Sequence, residues 1–296
     1  MVILGYVSKI EGEVAKKEKV VFVAQNIRMI APHFVGFVTN QLVDKYGEDV
    51  IQGGGLTVIS TLDLDLQAKA EESVKKYAET NFKNYGVKNM ALVSEDPKTG
   101  QILSMVGSRD FFDLNNEGNF NAAFALRQPG SSFKPFAYLT AFEKGYTDKT
   151  VVFDLPTNFS NNTTPYAPHN YDKKFRGPVD LRNSLAQSLN IPAVKVLYLA
   201  SINDTLKTAQ DLGITTLTQN ANYYGLPLVL GGGAVKLYEM VGAYSAFSQD
   251  CLYHKQSYIL KITDQNNKIL EEYKDETNQV CDIESVRLLT DILADN

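Results

Sequence analysis

Two Ser-x-x-Lys pairs in this sequence could place a hydroxyl group beside an amine. One pair is Ser73 with Lys76, and the other is Ser131 with Lys134. Positions i and i+3 share one face of a helix, so in either pair the serine oxygen and the lysine nitrogen can meet. A neutral lysine can accept the serine proton and so make the serine a nucleophile. The surroundings of the two pairs must therefore decide between them.

These surroundings favour the second pair. Ser73 and Lys76 lie among charged residues in an amphipathic helical pattern, which is typical of a solvated helix face. Lys134 lies in the apolar run QPGSSFKPFAYLTAF, where an amine is costly unless it is paired or deprotonated. Burial and the positive end of the helix dipole would both lower its pKa. Pro135 is tolerable only in the first turn of a helix, which predicts that Ser131 stands at the helix start.

Ser188 and Asn190, in the segment SLAQSLNIPAVK, could complete a site. Asp180 is a candidate N-terminal cap for a helix here. Pro192 predicts that Ile191 leaves helical geometry, so we expect the chain to break near Asn190. A hydroxyl and an amide at such a break can face a cleft and hydrogen-bond a peptide-like ligand. Without this second segment, Ser131 and Lys134 could equally well be a capping serine beside a lysine that extends to solvent.

Other catalytic and binding templates find little support. The sequence contains neither a G-x-S-x-G nucleophile elbow nor a P-loop. Its three histidines and two cysteines do not follow metal-ligand spacing, so we expect no metal and no cofactor. A formal net charge of -5 without a basic block argues against nucleic acid as a partner. Cys251 and Cys281 could pair or stay free.

The order of the predicted elements indicates an α+β protein. An amphipathic helix with a buried stripe at Leu66, Ala70, Val74 and Tyr77 precedes a hairpin formed by MALVSE and QILSMVG. Helical patterns dominate from residue 131 to about 250, interrupted by a polar loop over 158–178 that we expect to be solvated. A second hairpin, SYILKIT with KILEEY, precedes a last helix, SVRLLTDILAD. Strands at both ends with helices between them favour a sheet flanked by helices.

The segments QPGSSFKPFAY and SLAQSLNIPAVK resemble the transpeptidase domain of class A penicillin-binding proteins, the bifunctional enzymes that build bacterial peptidoglycan. Further segments, such as GGGLTVISTLDLDLQ, DLGITTL and GLPLVLGGGAVKLYEM, read like those of the family and follow in its order. The resemblance implies a penicillin-binding-protein/β-lactamase-like serine transpeptidase fold. This α+β fold has an antiparallel sheet flanked by helices plus an all-helical lobe, with the site at their junction.

The resemblance also implies a role for each site residue. Ser131 would be the nucleophile that attacks a stem peptide ending in D-Ala-D-Ala, and Lys134 would be its general base. Ser188 would relay a proton to the departing D-alanine, and Asn190 would bind the substrate amide and help to hold Lys134. The acyl group would then pass to an amine on a neighbouring stem, whereas β-lactam antibiotics would stop at the acyl stage. The family implies a location at the outer face of the bacterial cytoplasmic membrane or in the periplasm.

The chain departs from the family at both ends. The third family motif, Lys-Thr/Ser-Gly, is absent after Asn190, and the only K-T-G, at 98–100, falls in the turn of the first hairpin. We therefore expect C-terminal sheet strands to be missing and the activity of this chain to be impaired. Residues 1–55 resemble a glycosyltransferase exit and interdomain linker, and 56–296 the transpeptidase domain. These features suggest a piece of a longer protein, attached to a membrane only through a segment missing here.

Two alternatives remain. The first is a hydrolase on the same fold, a D,D-carboxypeptidase or a β-lactamase-like enzyme, in which water replaces the acceptor amine. The second is an inactive fragment that acts only as a binding scaffold, because one wall of the site is missing from the sequence.

Overall fold

The computed structural model describes residues 1–17, 29–160 and 165–295. The chain divides into two compact units, Met1–Ile30 and Ala31–Asn296. The first unit has one described helix, α1 (Lys9–Lys17), in which no residue is buried. Among the described residues, no helix is long and apolar enough to cross a membrane.

The second unit combines short strands with helices. Its helices are α2 (Pro32–Tyr46), α3 (Glu48–Gln52), α4 (Leu64–Tyr85), α5 (Lys134–Glu143), α6 (Leu181–Ala186), α7 (Asn190–Ala200), α8 (Ile202–Asp211), α9 (Ala221–Tyr224), α10 (Leu237–Ser248) and α11 (Ile283–Leu293). Its strands are β1 (Thr57–Ser60), β2 (Leu92–Asp96), β3 (Gln101–Val106), β4 (Val151–Asp154), β5 (Gly177–Asp180), β6 (Leu252–His254), β7 (Ile259–Thr263), β8 (Ile269–Glu272) and β9 (Thr277–Gln279). Three 3₁₀ segments, Leu114–Asn116, Gly130–Phe133 and Leu226–Leu230, complete the described elements.

Both predicted hairpins are confirmed. Strands β2 and β3 pair antiparallel, and β7 pairs with both β1 and β8 in a three-stranded antiparallel sheet. The two sheets are connected through Ser257, whose carbonyl accepts from the backbone N–H of Ile102 at 2.8 Å. The N–H of Ser257 donates in turn to the carbonyl of Gly100 at 2.9 Å. The hairpins are therefore joined by backbone hydrogen bonds as well as by side-chain packing.

Helix α2 belongs to the core of the second unit. Its residues Phe34, Val38 and Leu42 are buried in one cluster with Ile102 of β3 and Ile262 of β7. This apolar face packs on the strands, and the compact unit begins at Ala31, so it includes the second half of the segment 1–55. The assignment of 1–55 to a glycosyltransferase exit and linker remains a prediction.

Helix α4 begins where the sequence predicts but buries a different stripe. Asp63 caps it by accepting two backbone N–H groups at 2.9 Å. The buried residues are Gln67, Ala70, Val74 and Ala78, whereas Tyr77 is 52% exposed. Gln67 is buried because its side-chain amide exchanges two hydrogen bonds with the backbone of Met105 in β3. The predicted stripe was therefore partly wrong, since it counted only apolar side chains.

The largest core lies among the helices. Helix α5 packs against α7, α8 and α11, and its residues from Lys134 to Phe142 are all buried. This helical lobe and the hairpin sheets agree with the predicted α+β class. Next to the lobe, Cys251 and Cys281 form a disulfide with their Cα atoms 5.4 Å apart. The structure thus pairs the two cysteines that the sequence left open.

Candidate active site

Ser131 lies in the 3₁₀ turn Gly130–Phe133, which leads directly into α5. The turn joins the helix through the N–H of Lys134, which donates to the carbonyl of Ser131. Pro135 lies in the first helical turn, where its missing N–H removes no intrahelical hydrogen bond. The structure therefore places Ser131 at the start of the helix, as Pro135 predicts. Ser131 is exposed, in contrast to the helix that follows it.

Gly231 supports this turn from the other side, and the sequence analysis missed it. It adopts a φ of +91°, and a Cβ atom added to it would lie 2.3 Å from the backbone nitrogen of Gly130. Only a residue without a side chain lets the two backbones approach this closely. In the sequence, the run of three glycines lacks the lysine and hydroxyl residue of a P-loop, and no local pattern indicates this packing role.

Lys134 is a buried amine with three hydrogen-bond acceptors. The residue is 0% exposed, and its Nζ donates to the carbonyl oxygen of Ser188 at 2.5 Å, to Ser188 Oγ at 3.0 Å and to Asn190 Oδ1 at 2.8 Å. These contacts match the three donors of an ammonium group. Burial lowers the pKa of Lys134 from its usual 10.5 to about 8. None of the ion pairs in the described part of the chain involves this lysine.

The expected contact between Ser131 and Lys134 is not formed. No hydrogen bond within the described ranges joins Ser131 Oγ to Lys134 Nζ, because all three donors of the lysine are directed at Ser188 and Asn190. Ser132 is engaged in its own turn, where its Oγ donates to the carbonyl of Pro129 at 2.7 Å. Of the four predicted site residues, the structure brings Lys134, Ser188 and Asn190 together and leaves the Ser131 hydroxyl outside this cluster.

Ser188 lies in the short connection between α6 and α7 and has a φ of +52°. The left-handed conformation costs a residue with a side chain about 1 kcal/mol. In this conformation both the carbonyl and the hydroxyl of Ser188 reach the same lysine nitrogen. The strained backbone of Ser188 is therefore part of the cluster that holds the buried Lys134 amine.

The chain breaks at 187–189, slightly before the expected point. Asp180 caps α6 as predicted and accepts from the N–H of Asn183 at 2.8 Å. The expectation that Ile191 leaves helical geometry was wrong, because Ile191 and Pro192 belong to the first turn of α7. A proline there needs no backbone donor, so it starts the second helix and does not end the first.

Asn190 is the first residue of α7, and both ends of its side-chain amide are engaged. Its Nδ2 donates to the carbonyl of His169 at 2.8 Å, which leaves Oδ1 to accept from Lys134. Its backbone N–H donates to Asn170 Oδ1 at 2.8 Å. His169 and Asn170 come from the loop over 158–178, of which 161–164 lie outside the described residues. The expectation of a solvated loop was wrong for Asn170, which is 4% exposed.

A cleft of about 700 Å³ opens beside the turn that carries Ser131. Gln128, Pro129 and Ser132 line it on the side of this turn, and Val235 and Met240 line it on another. A cleft of this size is sufficient for a small ligand or a short peptide. Within the described residues, no group of three His, Cys, Asp or Glu side chains could hold a metal ion.

The remaining motifs lie away from this cluster. Lys98, Thr99 and Gly100 form the turn between β2 and β3, where Gly100 has a φ of +68°. The carbonyl of Thr99 accepts from the hydroxyl of Tyr273 at 2.7 Å, so the K-T-G has the turn role that the sequence predicts. The other Ser-x-x-Lys pair lies on α4, where Lys76 is exposed and its nitrogen lies 5.4 Å from the ring centre of Tyr77.

Comparison with known proteins identifies the class to which this fold and site belong. Residues 90–296 match the family model of the penicillin binding protein transpeptidase domain. Penicillin-binding protein 2D of Bacillus subtilis is 32% identical over 263 residues, which cover 85% of this chain and 36% of that protein. Penicillin-binding protein 1A of Aquifex aeolicus is 35% identical over 206 residues, covering 69% of this chain and 27% of that protein. The chain thus spans about a third of the length of these curated relatives.

Solved structures show the same fold. The crystal structure of penicillin-binding protein 1A from Haemophilus influenzae has a TM-score of 0.79 at 20% identity, covering 99% of this chain and 62% of that chain. The penicillin-binding protein PonA1 from Mycobacterium tuberculosis has a TM-score of 0.76 at 22% identity, covering 89% of this chain and 69% of that chain. The chain belongs to the penicillin-binding protein transpeptidase family, of the class A type, and the predicted family and fold are confirmed.

Proposed function

We propose that this chain is a peptidoglycan D,D-transpeptidase domain that is acylated at Ser131 by stem peptides ending in D-Ala-D-Ala. The observation that carries the proposal is the buried Lys134 amine, whose pKa burial lowers to about 8, three residues after an exposed serine at a helix start. Ser188 and Asn190 hold this amine in place. PonA1, which has the same fold, has been solved in complex with penicillin V, and this supports extending penicillin binding to this chain.

A protonated Lys134 would account for the absence of a hydrogen bond between its Nζ and Ser131 Oγ. An ammonium group has three donors, and all three are directed at Ser188 and Asn190. A neutral amine has only two donors and one lone pair. Loss of one proton therefore gives up one of these contacts and frees a lone pair that can accept the Ser131 proton. In this proposal the protonated amine is the resting state, and its deprotonation prepares the base.

The chemical steps then follow from these positions. Lys134 Nζ takes the proton of Ser131, and Oγ bonds to the carbonyl carbon of the penultimate D-alanine. The peptide bond to the last D-alanine breaks, and Ser188 relays the proton to the nitrogen of the departing amino acid. Asn190 hydrogen-bonds the peptide amide of the donor stem. An amine of a neighbouring stem attacks the ester carbonyl and forms the cross-link. The bond between the carbonyl carbon and Ser131 Oγ breaks, and the proton lost by the amine passes to Oγ and restores the serine.

The ligands and the location follow from the same proposal. The donor and acceptor stems of peptidoglycan are the substrates. β-Lactam antibiotics form an ester with Ser131 whose acyl group is not transferred to an amine. Such substrates lie outside the cytoplasmic membrane, so we place the domain at its outer face or in the periplasm.

Penicillin labelling tests the proposed nucleophile. We expect the product of the complete reading frame to bind a fluorescent penicillin covalently, and Ser131→Ala to lose the label. Ser73→Ala is the matched control, because it removes the serine of the same motif from α4, where Ser73 is half-buried and its lysine, Lys76, is exposed. Label that persists in Ser131→Ala, or disappears in Ser73→Ala, would contradict the assignment.

Product analysis tests the reaction type. With a donor stem and an amine-bearing acceptor stem, we expect a cross-linked product and one released D-alanine per cross-link. Trimmed donor without cross-links would assign the chain to a D,D-carboxypeptidase, in which water replaces the amine.

A second candidate, a binding scaffold without turnover, is favoured by one observation. The only K-T-G in the sequence lies in the β2–β3 turn, so this motif supplies no oxyanion donor or carboxylate contact beside Ser131. We therefore expect the 296-residue chain to acylate slowly or not at all. Labelling at the rate of the complete reading frame's product would contradict this expectation.

A further inference from the structure

A second layer of buried polar side chains lies behind Asn190. Asn170 accepts from the backbone N–H of Asn190 at 2.8 Å and donates from Nδ2 to both carboxylate oxygens of Asp154, at 3.0 and 2.9 Å. The same Nδ2 donates to the carbonyl of Lys174 at 2.8 Å. Asp154 is 0% exposed and Asn170 4% exposed. Two buried polar residues are therefore linked in a chain of hydrogen bonds to the lysine cluster.

This layer replaces a missing helix cap. The N–H groups in the first turn of a helix have no intrahelical acceptor, and the residue before the helix usually supplies one. Leu189 precedes α7 and has no side-chain acceptor. Asn170 supplies the acceptor from a loop 20 residues earlier in the sequence. The position of the helix start therefore depends on that loop.

The hydrogen bonds also fix which way each amide points. Asn170 uses Nδ2 on Asp154 and Lys174, so its Oδ1 must face the N–H of Asn190. Asp154 is held in turn by the backbone N–H of Arg176, which donates to its Oδ2 at 2.9 Å. Reversing the Asn170 amide would place its donors against another donor and leave its carbonyl facing a carboxylate. The network therefore has one favourable arrangement.

We infer that Asp154 and Asn170 are positioning residues, which hold the first turn of α7 so that Asn190 Oδ1 stays directed at Lys134 Nζ. Neither residue touches Ser131 through a hydrogen bond in the described part of the chain; both act through Asn190. This inference rests on the proposed function, because the position of Asn190 affects the reaction only if Lys134 is the general base.

Removal of the Asn170 side chain should change the pKa of Lys134 in a definite direction. Without its cap, the start of α7 loosens and Nζ loses one of its three acceptors. Hydrogen bonds to the charged form stabilise that form, so the pKa of Lys134 falls further. The groups that face Nζ are Ser188 and Asn190, which are neutral, and no described carboxylate pairs with it. The acid limb of the pH profile for acylation should therefore move to lower pH.

Asn170→Ala tests the inference in the product of the complete reading frame. We expect the plateau rate constant of penicillin acylation to fall about tenfold, since one buried hydrogen bond to the site is lost. We expect the midpoint of the acid limb to fall by up to about one pH unit. Asn158→Ala is the matched control, because Asn158 Oδ1 accepts N–H groups of the same loop at 3.1 and 3.2 Å but does not bond to α7. It should keep the wild-type rate and midpoint.

The midpoint of the acid limb distinguishes a loss of positioning from a loss of folded protein. A variant with fewer folded molecules labels to a smaller extent but keeps the same midpoint. A reduced rate with an unchanged midpoint would therefore overturn the inference, and so would a wild-type rate in Asn170→Ala. Asp154→Asn keeps the volume and one acceptor for Asn170, so it remains informative if the alanine variant does not fold. We expect it to change the rate in the same direction but less.

A second readout does not depend on acylation. The pKa of Lys134 can be followed in the 296-residue chain by NMR of ¹³Cε-labelled lysine, with its signal assigned by its loss in Lys134→Gln. We expect a midpoint near 8 in the wild type, a lower one in Asn170→Ala and an unchanged one in Asn158→Ala. If the wild type fails to label with penicillin, the proposed function fails while this titration still decides whether Asn170 positions the lysine cluster. Equal midpoints in all three proteins would overturn the inference.

Discussion

The two Ser-x-x-Lys pairs share the same spacing but differ in how their lysines are buried and hydrogen-bonded. Lys76 of α4 is exposed, and its nitrogen lies near the ring of Tyr77. Lys134 of α5 is fully buried, and its nitrogen has three acceptors on the connection between α6 and α7. Burial lowers the pKa of Lys134 to about 8, which brings a neutral amine within reach of physiological pH. The same spacing therefore occurs in two environments, and only Lys134 combines burial with three acceptors.

The largest expected difference between the pairs is in the rate of acylation. Lys134→Ala should slow penicillin labelling by about 10²- to 10⁴-fold, because the substitution removes the proposed general base. Lys134→Arg should not restore the rate, since a guanidinium stays protonated at any working pH. Lys76→Ala should label like the wild type. Stopped-flow or gel-based labelling over a range of penicillin concentrations would measure the acylation rates. Equal reductions of the rate in Lys134→Ala and Lys76→Ala would show that the two lysines do not differ in function.

The buried lysine should also make stability depend on pH. Its pKa of about 8 lies below the usual 10.5 of an unfolded chain, so between these values the unfolded state binds more protons. The free energy of unfolding, relative to Lys134→Met, should therefore rise by about 3 kcal/mol as the pH increases from 8 to 10.5. Lys76→Met gives the matched comparison at an exposed site. Urea unfolding at several pH values measures the difference, and a flat difference for Lys134→Met would contradict burial of a titrating amine.

Two glycines with nearly the same φ allow a test of how Gly231 supports the turn that carries Ser131. Gly231 (φ +91°) lies against Gly130, whereas Gly145 (φ +90°) has open space where a Cβ would stand. Gly145→Ala should lower the free energy of unfolding by about 1 kcal/mol, through backbone strain alone. Gly231→Ala should lower it by about 3 kcal/mol, through strain and overpacking, and should slow acylation at Ser131. Equal effects in urea unfolding would show that contact with Gly130 is unimportant.

The smallest expected effect concerns the cap of the helix that carries the other pair. Asp63→Ala removes a side chain that accepts two N–H groups at the start of α4 and should lower the free energy of unfolding by about 1 kcal/mol. Acylation by penicillin should not change, because α4 contributes no residue to the lysine cluster. A loss of acylation in folded Asp63→Ala would show that α4 affects the Lys134 cluster, which would contradict the contrast between the two Ser-x-x-Lys pairs.

Local sequence patterns predicted the elements whose cause is local. Asp63 and Asp180 cap the helices that they were expected to cap. Pro135 fixes Ser131 at a helix start, because the ring of proline restricts the backbone of its own turn. The hairpin turn at Gly100 likewise depends on one residue with positive φ. Such features need no knowledge of distant residues.

The features that were missed depend on hydrogen bonds between distant parts of the chain. Gln67 is buried because it bonds the backbone of β3, and Asn170 is buried because Asp154 and Asn190 satisfy its amide. A polar residue with all its partners is as acceptable in a core as an apolar one, but its partners cannot be identified from spacing. The same reason explains the missed contact between Lys134 and the carbonyl of Ser188.

The most direct measurement is peptide mapping of the penicilloyl adduct in the product of the complete reading frame, without any substitution. After reaction with penicillin, digestion and tandem mass spectrometry would locate the added mass on one residue. Our account predicts the adduct on Ser131, at a rate that rises with pH through a midpoint near 8, where Lys134 loses its proton. An adduct on Ser73 or Ser132, or a rate on Ser131 that does not change across this pH range, would contradict it.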